Sequence, residues 1–341
     1  MKKTVSMMCV VMLAAAMLSG CDSGTAPQSP STAAAESSES KESLDPAKLV
    51  VGLSMQTLDG AYFATQESVF KDYCKEKGIT CYTTDAQGDM SKQLSDVEDL
   101  ISRGCNIIVI NPKDPLGAVA ATEACATAGI PVFIMDNSID PSATYVSMIQ
   151  SDNYSLGEMV GIDVAEKFGT EQIKIGMLSG NAGNALGVNR RMGVMKGILE
   201  SQLAARNYTS VEILTQGWGN WNQQDGLGAA EDMLMAAPEI NCIVAENDDM
   251  LLGALQAVEA AGRTDIILVG ADGQKGVYKL IQDGTQVLAT GRNDPKECAV
   301  KTLDTVLAYA NGQDVPSLVY LEPVSVSPKN VDTYYDPDSL F

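Results

Sequence analysis

In an open α/β sheet, ligands bind beyond the carboxyl ends of the strands. The residues that follow the apolar runs of this chain are chemically alike. After Leu49 to Ser54 come Asp59, Tyr62 and Phe63, and after Pro131 to Met135 come Asp136 and Asn137. After Ile173 to Leu178 a Gly/Asn-rich loop leads to Arg190 and Arg191; the run ending at Ala245 delivers Asn247, and the run ending at Val269 delivers Asp272. Carboxylates, carboxamides and guanidinium groups each bridge neighbouring hydroxyls, and aromatic rings cover the C–H faces of a pyranose or furanose. The set therefore suits a sugar. Taken singly, each residue has a plainer role. Asp136 or Asp272 fits a helix N-cap, and Asn247 fits a turn with Asp248 capping the next helix. Tyr62, Phe63 and Trp221 fit a core, and the arginines fit the charged face of a helix. Convergence on strand ends favours a site.

Catalytic chemistry starts at a disadvantage. The chain has no histidine, which removes Ser-His-Asp and Cys-His catalysis, histidine metal sites and the usual near-neutral proton shuttle. Gly180, Gly183 and Gly187 spell GxxGxxxG, which is not a dinucleotide fingerprint, and no P-loop lysine signature occurs. A doubly wound enzyme is thus the weaker alternative, and no cofactor is expected. The net charge of -21 makes nucleic acid an improbable partner. Outside the leader and Cys21, the cysteines are Cys74, Cys81, Cys105, Cys125, Cys242 and Cys298, without a CxxC pair. Cys74 and Cys81 lie where a bridge could join a helix end to the next strand; buried free thiols are the blander reading.

Short apolar runs alternate with amphipathic stretches to position these groups. Helices are predicted over 61 to 77, 90 to 103, 115 to 129, 188 to 203, 222 to 236, 249 to 261, 274 to 282 and 295 to 311. A further helix is predicted after Ser151-Asp152-Asn153, to about Phe168. Strands fall between them, and the tail after Val319 reads as extended. This βαβ cadence implies parallel sheets covered by helices. There are too many strands for one sheet of usual width, so two doubly wound, Rossmann-like lobes are preferred.

The first residues read as a secretory leader: Lys2 and Lys3 precede an apolar run from Val5 to Leu18 that is short for a membrane span. Leu18-Ser19-Gly20-Cys21 resembles the bacterial lipobox, which implies a signal peptide over 1 to 20 and lipidation of Cys21. The segment to Lys48 is rich in Ser, Ala, Thr, Pro and Glu and reads as a flexible tether.

Taken together, Gln56-Thr57-Leu58-Asp59-Gly60-Ala61-Tyr62-Phe63, Ile110-Asn111-Pro112, Ser151-Asp152-Asn153, Ala245-Glu246-Asn247-Asp248 and Val269-Gly270-Ala271-Asp272-Gly273 resemble the ribose- and galactose-type periplasmic sugar-binding proteins of ABC importers. The resemblance runs from Leu49 to about Val326. It implies the type I periplasmic binding protein fold, with one lobe over 49 to 151 and 294 to 322, the other over 152 to 293 and 323 to 341, and crossings near 151 to 154, 291 to 295 and 321 to 325. Closure of the lobes about this hinge traps the ligand. The resemblance further implies Tyr62 and Phe63 on one sugar face, Trp221 on the other, and Asp136, Arg190, Asn247 and Asp272 as polar ligands. It departs from ribose binders at Asp136-Asn137, where they have Asp-Arg, and at Gly60, where they have Asn beside the aromatics. The family's ligand glutamine falls at Arg292 or Asn293. The implied function is a monomeric, lipid-anchored, extracytoplasmic binding component that delivers a monosaccharide or polyol to a membrane permease. The alternative is a sensory receptor for a sugar-like or nucleoside ligand.

Overall fold

The computed structural model describes residues 48–341; the leader, Cys21 and the tether segment lie outside them. In chain order the first series is β1 (Val50–Met55), α1 (Ala61–Glu76), β2 (Thr80–Asp85), α2 (Met90–Ser102), β3 (Ile107–Ile110), α3 (Val119–Thr127), β4 (Val132–Met135) and β5 (Ser147–Ser151). The second is α4 (Asn153–Phe168), β6 (Ile173–Ser179), α5 (Ala185–Arg206), β7 (Val211–Trp218), α6 (Gln223–Ala236), β8 (Cys242–Ala245), α7 (Asp248–Ala260), β9 (Ile267–Asp272), α8 (Lys275–Gln282) and β10 (Val287–Arg292). Helix α9 (Pro295–Ala310), strands β11 (Leu318–Leu321) and β12 (Ser325–Val326) and the short α10 (Val331–Tyr334) complete the chain.

These elements form two six-stranded sheets, ordered β11-β5-β4-β3-β1-β2 and β12-β10-β9-β8-β6-β7. The first is parallel throughout; in the second only the β10–β12 pair is antiparallel. Strands β3, β4 and β8 are continuous apolar runs buried at every position, as sheets covered by helices on both faces require. Strand β5 is Ser-Met-Ile-Gln-Ser, alternating buried and half-buried. Its polar residues hide it from a search for apolar runs, and the sequence reading passed over it. The chain passes between the two sheets at 151–153, 292–295 and 321–325. Helix α9 returns to pack its Cys298, Ala299, Leu303 and Val306 into the first lobe's core, while Val326 and Val331 join the second's.

Side-chain caps set where the helices begin. Asp89, Asn184 and Asn247 accept from the backbone N–H of Lys92, Gly187 and Met250, and Asp294 caps α9 ahead of Pro295. A glycine seam fixes how α4 meets α5. A Cβ at Gly157 would lie 2.2 Å from the Arg190 carbonyl oxygen, and one at Gly193 would lie 2.1 Å from that of Tyr154. Gly161 and Gly197 make equivalent approaches. Only glycine allows the two backbones so close, and Arg190 sits on this seam.

All six cysteines among the described residues are free thiols. Cys74 and Cys81 nevertheless lie within hydrogen-bonding contact, which together with burial pushes the Cys81 thiol up. No helix among the described residues is long and apolar enough to cross a membrane, and no group of three or more His, Cys, Asp or Glu there is placed to hold a metal ion.

Candidate functional site

The strand ends of both sheets face a cleft of about 630 Å³. The wall built on the first sheet begins at Gly60, whose φ of 85° turns β1 into α1. Tyr62 and Phe63 thereby enter the first turn of α1, with Asp59 at the cleft edge. The Tyr62 hydroxyl donates to Asp136 Oδ1 at 2.6 Å. Burial pushes the Asp136 carboxyl up to about 6, against the lowering effects of the Tyr62 hydrogen bond and of Arg190. Asn137 also lines the cleft, while its Nδ2 donates to the Pro112 carbonyl at 2.9 Å.

The wall built on the second sheet is a charged network. Arg190 Nε donates to Asn153 Oδ1 at 2.8 Å, and Nη1 donates to the Glu246 carbonyl at 2.7 Å and pairs with Asp272 Oδ1 at 2.8 Å. The guanidinium is almost wholly buried, with 3% of Arg190 exposed. Arg191 points elsewhere: it pairs at 2.7 Å with the buried Glu246 carboxylate, which also accepts from Gly180 N–H at 2.8 Å. Burial raises the Asp272 carboxyl and the Arg190 guanidinium opposes that shift. Asn247 caps α7 through Oδ1 and donates from Nδ2 to the Trp221 carbonyl at 3.3 Å. The cap expected at Asp248 is therefore corrected to Asn247, which caps the helix and lines the cleft at once, while Asp248 is the first residue of α7. Trp221 lies on Gly180, where a Cβ would come within 2.0 Å of the indole. Gly187 likewise leaves room for the Glu246 carboxylate. The first and last glycines of the GxxGxxxG pattern thus serve as seats for this wall, whereas Gly183 has open space around it and a left-handed φ of 78°.

Three non-glycine residues of the cleft hold left-handed φ values: Asp136 at 68°, Trp221 at 62° and Asp272 at 135°. Such conformations cost of order 1–3 kcal/mol each and persist where the surroundings impose them. Their coincidence in one cleft singles it out as the candidate site.

The sequence alternatives Arg292 and Asn293 separate cleanly. Asn293 lines the cleft, accepts from Ser151 Oγ at 2.6 Å and donates its N–H to the Asp272 carbonyl at 2.9 Å, tying the two lobes at a crossing. Arg292 is corrected: its guanidinium pairs with Asp294 and Glu297 and stacks 5.4 Å over the Tyr334 ring, away from the cleft. Two acidic partners in the following turn capture it locally. The sequence reading did not find Lys113, Asn184, Gln274, Lys275, Leu340 and Phe341, which also line the cleft. Asn184 stands in the Gly/Asn-rich loop already singled out; Leu340 and Phe341 carry no local signal.

The periplasmic binding protein domain family matches residues 51–314. The ribose import binding protein RbsB of Bacillus subtilis is 31% identical over 263 residues, covering 76% of this chain and 82% of that protein. A D-apiose import binding protein of Actinobacillus succinogenes is 30% identical over 232 residues, covering 68% and 72%. Among solved structures, an ABC transporter solute-binding protein from Mycobacterium smegmatis with bound glycerol superposes with a TM-score of 0.76 at 31% identity, covering 86% of this chain and 98% of that one. Another from Bacillus halodurans with bound myo-inositol gives 0.73 at 26%, covering 85% and 98%. With two doubly wound α/β lobes and strand ends converging on one cleft, this chain belongs to the periplasmic binding protein domain family.

Proposed function

We propose that this protein is the substrate-binding component of an ABC importer. It encloses a monosaccharide or polyol between its lobes and delivers it to a membrane permease, held at the outer face of the membrane through a lipid on Cys21. Asp136, Arg190, Asn247, Asp272 and Asn293 face the same cleft as Tyr62, Phe63 and Trp221, and this convergence carries the reading. Planar polar groups meet ring hydroxyls and aromatic faces meet C–H faces, the division of labour a polyhydroxylated ligand needs. The lobes meet at three crossings, so a ligand that touches both walls favours the closed form. The import or binding names of the relatives, for ribose, D-apiose, galactofuranose and xylitol, support the same class.

A thermal-shift screen over pentoses, hexoses, inositols, alditols and nucleosides tests it, because tight binding to the folded state raises the melting temperature. Stabilisation by a sugar or polyol and not by nucleosides is expected. A nucleoside response with no sugar response would overturn the ligand class. For the anchor, mass spectrometry of the protein from membranes should find a diacylglyceryl group on an N-terminal Cys21, and Cys21→Ser should release the protein from them.

A further inference from the structure

The residues after α10 run back to the ligand cleft. Tyr334 and Tyr335 pack on the core of the second lobe, and Arg292 stacks over Tyr334. Lys275 at the start of α8 then holds the chain, its Nζ donating to the Ser339 carbonyl at 2.5 Å and the Pro337 carbonyl at 3.3 Å. Ser339 Oγ donates to the Phe341 carbonyl at 2.8 Å. Leu340 is 72% exposed at the cleft, whereas Phe341 is half-buried within it. The Phe341 ring meets Tyr62 edge-on, with centroids 5.3 Å apart and planes at 82°. Phe63 meets the same Tyr62 ring at 5.2 Å and 85°. Tyr62 is therefore held between two rings, one from its own lobe and one brought by a strap rooted on the other, with its hydroxyl on Asp136.

We propose that Phe341 is a ligand-site residue. The strap over 335 to 341 fixes the Tyr62 ring and makes one more aromatic wall, against which a sugar or cyclic polyol lays a C–H face. Edge-to-face pairs prefer the observed geometry and hold rings in place; a chain segment tied to the second lobe by both Lys275 hydrogen bonds and closed on itself by the turn between Ser339 and Phe341 is ordered before the ligand arrives, so little entropy is lost at binding. Arg292, absent from the cleft, acts on it indirectly by anchoring Tyr334 at the root of the strap. The ligand-wall role rests on the sugar-binding reading; the hold on Tyr62 does not.

Two measurements on the full chain, purified in a detergent without a sugar headgroup, test the two parts. Calorimetry compares the unaltered chain, Phe341→Ala and Phe341→Tyr with D-ribose, D-allose, myo-inositol and xylitol. Phe341→Ala should bind the responding probe at least tenfold more weakly, and Phe341→Tyr should restore most of the affinity. Equal affinity in Phe341→Ala overturns the ligand wall. Without any ligand, nitration of Tyr62 by tetranitromethane, followed on its peptide by mass spectrometry, should speed up several-fold in Phe341→Ala. An unchanged rate overturns the placement of the strap whether or not a probe binds. If no probe binds the unaltered chain, the sugar reading and the ligand wall fall together, while faster nitration would still uphold the hold on Tyr62.

Discussion

The two walls of the cleft handle charge in opposite ways. On the second lobe, Asp272 faces Arg190 and Glu246 faces Arg191, and Arg190 is further fixed by Asn153 and by the Glu246 backbone before any ligand is present. On the first lobe, Asp136 accepts from the Tyr62 hydroxyl with Asn111 as a further, weaker hydrogen-bonding influence, and its sequence neighbour is the uncharged Asn137. Arg190 reaches it only as a lowering influence from the opposite wall. One wall is a finished network on a glycine seam. The other keeps a buried carboxylate with no cation of its own wall beside it, which ligand hydroxyls would complete under the proposed sugar-binding role. Under that proposal binding energy would be gained mainly where the first wall is satisfied, while the second supplies geometry.

The sharpest way to break this contrast is Arg190→Ala. It strands the buried Asp272 carboxylate and leaves the Asn153 and Glu246 oxygens without a donor, and breaking a buried pair costs about 3–5 kcal/mol. The melting temperature of the ligand-free protein should fall steeply and binding should vanish. Asp136→Asn sharpens the contrast from the other side. It removes a carboxylate that burial already disfavours, so ligand-free stability at pH 7.5 should hold or rise. Affinity for the responding sugar should drop by the 1.5–3 kcal/mol of hydrogen bonds to a charged group, roughly 10- to 150-fold. Equal losses of stability in the two variants would erase the distinction between the walls.

A backbone change of smaller effect probes the seam. Gly193→Ala drives a Cβ to 2.1 Å from the Tyr154 carbonyl oxygen, and overpacking of this kind costs about 1–3 kcal/mol. Gly228→Ala serves as its control, because α6 leaves open space at that position. Alanine there should raise stability by about 0.5–1 kcal/mol. Denaturation midpoints of the two variants should move in opposite directions.

What the sequence made legible follows the same division. Strand ends are fixed by local apolar runs, so Asp136, Asn247 and Asp272 were found without knowing what they touch. Strand β5 and α10 lack the periodicity such reading depends on: the first has only an adjacent Met-Ile pair between serine and glutamine, and the second is a single turn. The choice between Arg292 and Asn293 turned on one residue at the end of β10, which decides between cleft and exterior. The pairing of Arg190 with Asp272 and the approach of Phe341 to Tyr62 join residues remote in sequence, and only tertiary packing brings them together. The GxxGxxxG glycines were visible as a pattern, but the role of Gly180 and Gly187 needed Trp221 and Glu246 in place above them.

The mildest test of the contrast is pH. Asp136 has its folded-state carboxyl raised from 3.8 to about 6 by burial. A raised carboxyl binds a proton more tightly folded than unfolded, so its contribution to ligand-free stability is complete below about pH 4 and is lost as pH rises through 6. The buried Asp248, raised to about 7 chiefly by desolvation and then by Asp272, acts in the same direction. Ligand hydroxyls that donate to Asp136 favour its ionised form, so binding and ionisation help each other. At pH 5, one unit below its folded value, about one molecule in ten carries the ionised group, and affinity should be about tenfold weaker than at pH 7.5. Asp136→Asn should flatten this dependence in calorimetric titrations, while the acid-side gain in ligand-free stability from Asp248 persists. If the slope survives in the variant, the proton belongs to the second wall, and the carboxylate completed by the ligand is Asp272.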